Sequence, residues 1–195
     1  NIMKEQYDVG GIANYDLQIV FDEEQKDDSV LVETLRNDIR IKDMMMTSMI
    51  SLSGGSERVE KTEDVYLFVP KNSSELNKYI NLQNRKTNES ITLDDTGAVI
   101  TEKFANDTDT VIGDKIWVET ADGERIEIPV ANITENYTFS YVYLSENLYQ
   151  YLFQESVDYS YAICNLDDMV FEEGANGLSK EAQFTAELMN YSDIN

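Results

Sequence analysis

The 195-residue chain has no histidine, one cysteine and two prolines. Without histidine, neither a Ser–His nor a Cys–His nucleophilic pair can be assembled, and imidazole zinc sites are excluded. Cys164 alone cannot close an internal disulfide, so no disulfide framework exists. That suits the cytosol, and equally the outer face of a cell whose exported proteins are cysteine-poor. Two prolines exclude a proline-rich stalk. Basic residues are scarce too, 15 against 38 acidic ones, for a formal charge of -23 at pH 7. The nearest approaches to a basic patch, Arg36 to Lys42 and Lys78 to Lys86, are thin and mixed with acids. They exclude nucleic acid as a partner and disfavour anionic lipid. No apolar run approaches the roughly 20 residues of a membrane helix, and the first residues do not read as a signal peptide. The segment reads as soluble, which leaves open that it is part of a longer, membrane-bound protein.

Hydrophobic residues make up 42%, enough for a packed core despite the charge. The length fits one domain or two small lobes. In Tyr15 to Phe21 apolar side chains occupy the odd positions, the alternation of a half-buried strand. The acidic stretch Asp22 to Asp28 offers caps for a short helix carrying Val30, Leu31, Thr34 and Leu35 and ending near Asn37 or Asp38. Ile39 to Leu52 is extended, with Met44, Met46, Ile50 and Leu52 on one side, and Ser53-Gly54-Gly55-Ser56 reads as a turn. Val65 to Val69 is apolar on both faces, a central strand stopped by Pro70. Ser73 or Ser74 is expected to cap a helix burying Leu76, Tyr79 and Ile80, with loop from Asn81 to Ser90.

Ile91 and Leu93 read as a short extended piece before the turn Asp94 to Gly97. Ala98 to Ile100 leads into a helix from Glu102 to Asn106. Ile116 and Val118, then Ile126, Ile128 and Val130, flank Asp122-Gly123, the signature of a tight hairpin, and Pro129 points to an exposed edge. Phe139 to Leu144 is a strand, Ser145 caps a helix carrying Leu148, Tyr149, Leu152 and Phe153, and Tyr159 to Cys164 is the last strand. Glu172 to Gly177 reads as linker and Leu178 to Met189 as a weak helix. The irregular alternation of strands and helices around an antiparallel hairpin indicates α+β, with mixed or antiparallel sheets and short packing helices. The chain is read as one domain, 1–195. A polar boundary at Asn88 to Asp94 permits two lobes: 1–90, and a hairpin-containing 91–170, followed by a linker and helix over 171–195.

Candidate chemistry is thin. With 38 acids, carboxylate pairs suited to glycoside hydrolysis are too numerous for any one to be informative, and Asp94/Asp95 reads as turn chemistry. Asp107, Asp109 and Asp114 could hold calcium, but their spacing does not match an EF-hand loop. Met44, Met45, Met46 and Met49 are soft copper donors in principle; strand alternation splits them between two faces, so core filling or a flexible contact surface is the better reading. Cys164 reads as a small buried hydrophobe. Gly10-Gly11 is a turn, and Ser53-Gly54-Gly55 lacks the lysine of a nucleotide loop. Five Asn-x-Ser/Thr matches, at Asn72, Asn88, Asn106, Asn132 and Asn136, carry meaning only in a eukaryotic secreted protein. Tyr137, Tyr141, Tyr143, Tyr149, Tyr151, Tyr159 and Tyr161 crowd the second half, suiting sheet packing or a docking face. No catalytic, cofactor-binding or metal-ligating residue is assigned.

The order of signals from Asp95 to Phe153 carries a resemblance. Thr96-Gly97-Ala98-Val99-Ile100-Thr101-Glu102-Lys103-Phe104-Ala105 is followed by Val111-Ile112-Gly113-Asp114-Lys115-Ile116, then Ile133-Thr134-Glu135-Asn136-Tyr137 and Tyr141-Val142-Tyr143-Leu144-Ser145. With Asn14-Tyr15-Asp16-Leu17-Gln18-Ile19 upstream, this resembles the extracytoplasmic domain of FtsX-like and MacB-like ABC transporter permeases, in the long form of Gram-positive bacteria. Gly97 and Gly113 are then expected to supply turn freedom, Asp114 to bond its own turn, and Asn136 to brace a strand end.

The resemblance implies a noncatalytic domain on the extracellular face of the cell membrane. It would sit between two helices of its own permease and couple the motion of a cytoplasmic ATPase subunit to an exported substrate or surface protein. Its two ends should then lie side by side. Two other readings stay open: a secreted or cell-surface binding module, with or without calcium, and an acid-based carbohydrate hydrolase. The charge favours basic or neutral partners at low salt.

Overall fold

The structure, a computed structural model, describes residues 2–5, 14–23, 29–168 and 182–184. Among them are nine strands: β1 (Ile2–Glu5), β2 (Leu17–Phe21), β3 (Ile41–Gly55), β4 (Glu63–Pro70), β5 (Ala98–Thr101), β6 (Lys115–Glu119), β7 (Arg125–Thr134), β8 (Tyr141–Tyr143) and β9 (Tyr161–Leu166). Three short helices join them, α1 (Val30–Arg36), α2 (Glu102–Asp107) and α3 (Glu146–Phe153). No helix among the described residues is long and apolar enough to cross a membrane.

All nine strands share one sheet, in the order β1-β2-β9-β3-β4-β8-β5-β7-β6, and β6 returns to pair with β3. Strands β3, β4, β8, β5, β7 and β6 therefore close a ring, and β9, β2 and β1 extend from it. The device is the length of β3. Residues 41 to 47 pair with β9, while Ser53 to Gly55, farther along the same edge, pair with β6 at Trp117 to Glu119. The opposite edge pairs with β4 over Thr47 to Gly54. β4–β8 and β5–β7 are parallel and the other pairs antiparallel, the mixed α+β arrangement expected. Strands from both sides of 88–94 interleave in this sheet, so the regions set apart as two lobes share it.

Two apolar clusters cover the two faces. One gathers Leu17, Ile19, Leu35, Met46, Val65, Leu67, Ile100, Phe104 and Val118 with α1 and α3; the other gathers Met45, Phe68, Leu76, Tyr79, Val99, Tyr143 and Ile163. Alternation along a strand assigns each residue to its side. Met44 and Met46 belong to the first cluster and Met45 and Met49 to the second, which makes the methionine run core filling. Tyr141, Tyr143, Tyr149 and Tyr159 are buried, whereas Tyr137 and Tyr151 are exposed. Cys164 is fully buried, and that burial pushes its thiol pKa up.

Several local expectations change. Ser53 to Gly55 is the end of β3 and no turn, because the two glycines let the sheet approach closely. A Cβ on Gly54 would stand 3.2 Å from Phe104 Cζ, and one on Gly55 only 2.6 Å from Trp117 Cζ2. The helix expected after Ser73 is a 3₁₀ segment, Ser73–Lys78, capped by Asn72, whose side chain accepts from the Ser74 N–H at 3.1 Å. Ile91 and Leu93 lie outside the named strands. The cap of α1 is Ser29, the residue after the acidic stretch, accepting from Val32 N at 3.2 Å. The hairpin turns over Ala121 to Gly123, closed by Thr120 N donating to Glu124 O at 2.8 Å, with Gly123 at φ +80; the loop has a third residue beyond the expected Asp-Gly pair. Gly10-Gly11 and the linker Glu172 to Gly177 lie outside the described residues. Of the helix over Leu178 to Met189, 182–184 are described and helical, with Phe184 fully buried.

Candidate functional site

The ring has a seam. β3 pairs with β6 only as far as Gly55 opposite Trp117, and beyond that point the chain turns away at Ser56, whose Oγ donates to Thr108 O at 2.6 Å. A cavity of about 470 Å³ opens there, between Ser56, Glu57 and Arg58 on one side and Lys115, Ile116 and Trp117 on the other. Asp114 and Glu127 also line it.

The hydrogen-bond alternation of the hairpin decides what the seam presents. Val130 N donates to Asp114 O and Thr120 N to Glu124 O, so even-numbered residues of β6 bond to β7 and odd-numbered ones face β3. Trp117 and Glu119 meet Gly55 and Ser53, and the main-chain N–H and C=O of Lys115 are directed into the cavity. The same alternation accommodates Pro129. It lies opposite Lys115, where its nitrogen owes β6 no hydrogen bond.

At the rim, Val111 to Asp114 form a β-turn closed by Asp114 N donating to Val111 O at 3.1 Å, with Gly113 at φ +95, a conformation that favours glycine. Asp114 bonds its own turn as expected, accepting from Val111 N at 2.9 Å, and its other oxygen takes Arg58 Nη2 at 3.0 Å. The Val111 N–H and the Arg58 guanidinium hold its carboxyl below the usual range. The turn projects Val111 and Ile112, 55% and 56% exposed.

A second cluster, which the sequence reading missed, joins β4, α2 and the approach to β8. Glu63 accepts from Ser140 Oγ and lies 3.4 Å from Lys103 Nζ. Lys103 Nζ also bonds Asp107 at 2.8 Å, one turn on along α2, and Lys61 lies 3.7 Å from Asp107. Glu63 and Asp107 thus share the Lys103 ammonium, at 3.4 and 2.8 Å. Burial raises the pKa of Glu63, whereas Lys103 lowers that of Asp107. The i, i+4 spacing of Lys103 and Asp107 was visible in the sequence; Glu63, about forty residues away, was not.

The aspartates considered for calcium are not brought together. Asp107 is held by lysines, Asp114 by Arg58 and its own turn, and Asp109 stands at φ +52. No group of three or more metal-ligating side chains occurs among the described residues. Asp94 is turn chemistry, accepting from Thr96 N at 2.9 Å. Asp95 reaches across to α3, taking Ser145 Oγ at 2.6 Å and Asn147 Nδ2 at 3.1 Å. Asn136 braces the approach to β8, accepting from Thr138 N and Phe139 N at 2.9 and 3.1 Å. Gly97 serves close approach instead of turn freedom: a Cβ there would lie 2.8 Å from Pro129 O.

No protein-family profile and no curated protein matches the chain. Among solved structures it is similar to the periplasmic region of MacB from Actinobacillus actinomycetemcomitans, with 10% identity and a TM-score of 0.50 over 95% of this chain and 88% of that one. It is also similar to the extracellular domain of the noncanonic ABC-type transporter YknZ from Gram-positive bacteria, with 16% identity over 82% of each chain and a TM-score of 0.48. At such identities the likeness is one of fold, and the fold shared with the MacB region is the mixed α+β sheet with short helices described above.

Proposed function

We propose that this chain is a noncatalytic extracellular domain of a bacterial ABC transporter permease, coupling ATPase-driven motion of membrane helices to an exported substrate or an outside partner. The observation that carries this reading is the fold shared with the periplasmic region of MacB along 95% of the chain. Its direct partners would be the permease's own membrane helices, and the cytoplasmic ATPase would act through them. Asp16 N donates to Cys164 O at 2.9 Å, and Leu166 N donates to Asp16 Oδ2 at 2.7 Å. The chain therefore enters β2 and leaves β9 at the same end of the sheet, while Ile2 at the start of β1 pairs with Phe21 at the other end.

The test is the distance between the two ends. Cys164 is buried and shielded from reagents, so spin labels on cysteines introduced at positions 1 and 195 report their separation cleanly. A domain inserted between neighbouring membrane helices should hold its ends well short of the roughly 40 Å diameter of a domain this size. Ends a full diameter apart on an intact fold would sink the placement and favour a stand-alone surface module.

A further inference from the structure

We infer that the seam groove between the end of β3 and the first half of β6 is a docking site for an extended, cationic, amphipathic peptide segment of a partner protein. Three independent features converge on that occupant. The first is an open sheet edge. Lys115 directs its main-chain N–H and C=O into the cavity where the pairing with β3 has stopped, and an extended segment can continue the ladder from there. The segment would take the place that β3 vacates at Ser56.

The second feature is an exposed apolar pair on the turn that runs between the lining residues Thr110 and Asp114. Val111 and Ile112 are more than half exposed on a turn held by the Asp114–Val111 and Arg58–Asp114 bonds. A backbone so braced is ordered before binding, which lowers the cost of association. Alternate side chains of an added strand point to one face, so its apolar residues can meet Val111 and Ile112 while the others point away.

Charge is the third. Glu57, Asp114 and Glu127 line the groove together with Arg58 and Lys115, three carboxylates against two cations, within a chain of net charge -23. Arg58 is engaged by Asp114 at 3.0 Å, and Lys115 lies 3.8 Å from Glu127. The field attracts a basic segment and repels both an acidic one and a second copy of the chain.

The site carries its own reporter, because Trp117 is the only tryptophan and lines the groove. The probe is a capped octapeptide alternating lysine and valine, labelled for anisotropy and titrated into the full chain at low salt. A lysine–serine octapeptide and a glutamate–valine octapeptide are the comparisons. The lysine–valine peptide should bind and shift the tryptophan emission. Ile112→Asp and Glu127→Lys, both at solvent-accessible positions, should each weaken it about tenfold, and binding should fall steeply as salt is added. Equal binding of the lysine–serine peptide would reduce the effect to bulk charge and overturn the inference. So would equal binding of the glutamate–valine peptide, an absence of binding, or affinity indifferent to both variants. The groove belongs to this chain whichever protein carries it, so this outcome and the end-to-end distance fail separately.

Discussion

Gly55 lies directly against the indole of Trp117: a Cβ built on the glycine would stand 2.6 Å from Cζ2 and 3.0 Å from Cε2. The contact closes the ring of six strands, since Gly55 and Trp117 are also register partners between β3 and β6. Gly55→Ala must displace a ring that is 8% exposed and stacked under Arg125, whose Cζ lies 3.7 Å from its centroid. The expected cost is about 1–3 kcal/mol, the range for overpacking, read as a lower urea midpoint together with a shifted tryptophan emission. Gly54→Ala meets its neighbours at 3.2 Å and should cost less. A Gly55→Ala chain with unaltered midpoint and emission would show that the seam is not tightly closed.

The Glu63–Asp107 pair makes stability depend on pH in opposite senses. Burial raises the folded-state pKa of Glu63, so its proton is held more tightly in the folded chain. That contribution is present below the ordinary glutamate range and is lost as pH rises through the raised value. Asp107, lowered by Lys103, contributes above the ordinary aspartate range and loses that contribution as pH falls. Glu63→Gln removes the first effect. The melting temperature of the parent chain minus that of the variant should therefore be larger near pH ~4 than at pH ~7. A difference that grows with pH would reverse the assignment.

Ser145 serves two partners at once. Its Oγ accepts from Leu148 N at 3.1 Å as the cap of α3 and donates to Asp95 at 2.6 Å, which holds the Asp95 carboxyl below the usual range. Ser145→Ala removes both bonds. It should cost about 1–2 kcal/mol, the range for a lost cap, in chemical denaturation. Ser145→Asp should not rescue it, because the new carboxylate would face Asp95. Rescue by aspartate would indicate that the cap alone matters.

Phe184 is fully buried in the first cluster, and its ring lies 4.7 Å from the Arg40 guanidinium carbon. Phe184→Ala should cost about 3–5 kcal/mol, as for a large aromatic deleted from a core. Calorimetry should show one cooperative transition at lower temperature. A second, separate transition for the parent chain would mean that this turn is not part of the same folding unit.

The strands around Tyr15, Val65 and Tyr159 were legible because alternation and apolar runs are local properties, written within a few neighbouring residues. The helix at Ser145 was legible for the same reason, since a cap and its N–H partner lie one turn apart. The pair Gly54-Gly55 was misread. Two adjacent glycines signal chain reversal and close packing alike, and only the indole arriving from β6 tells which. The spacing of Asp107, Asp109 and Asp114 was already a poor match to a calcium loop. In the folded chain Asp107 is held by Lys103 of its own helix and by Lys61, and Asp114 by Arg58 and the Val111 N–H. Glu63 carried no signal at all, because its partners Lys103 and Ser140 come from residues 40 and 77 positions away.

Composition excludes histidine catalysis and a disulfide within this chain wherever the residues end up in space. Periodicity, equally local, sets which side chains can share a face and so the strand or helix character of most segments. Neither reaches the pairings between distant residues. That β3 serves three neighbours, that β6 returns to close a ring, and that an open edge remains beside Val111 and Ile112 are facts of the folded molecule. They rest on contacts between residues tens of positions apart, selected by the mutual fit of glycine and indole and by the burial of both sheet faces, and no local pattern encodes them.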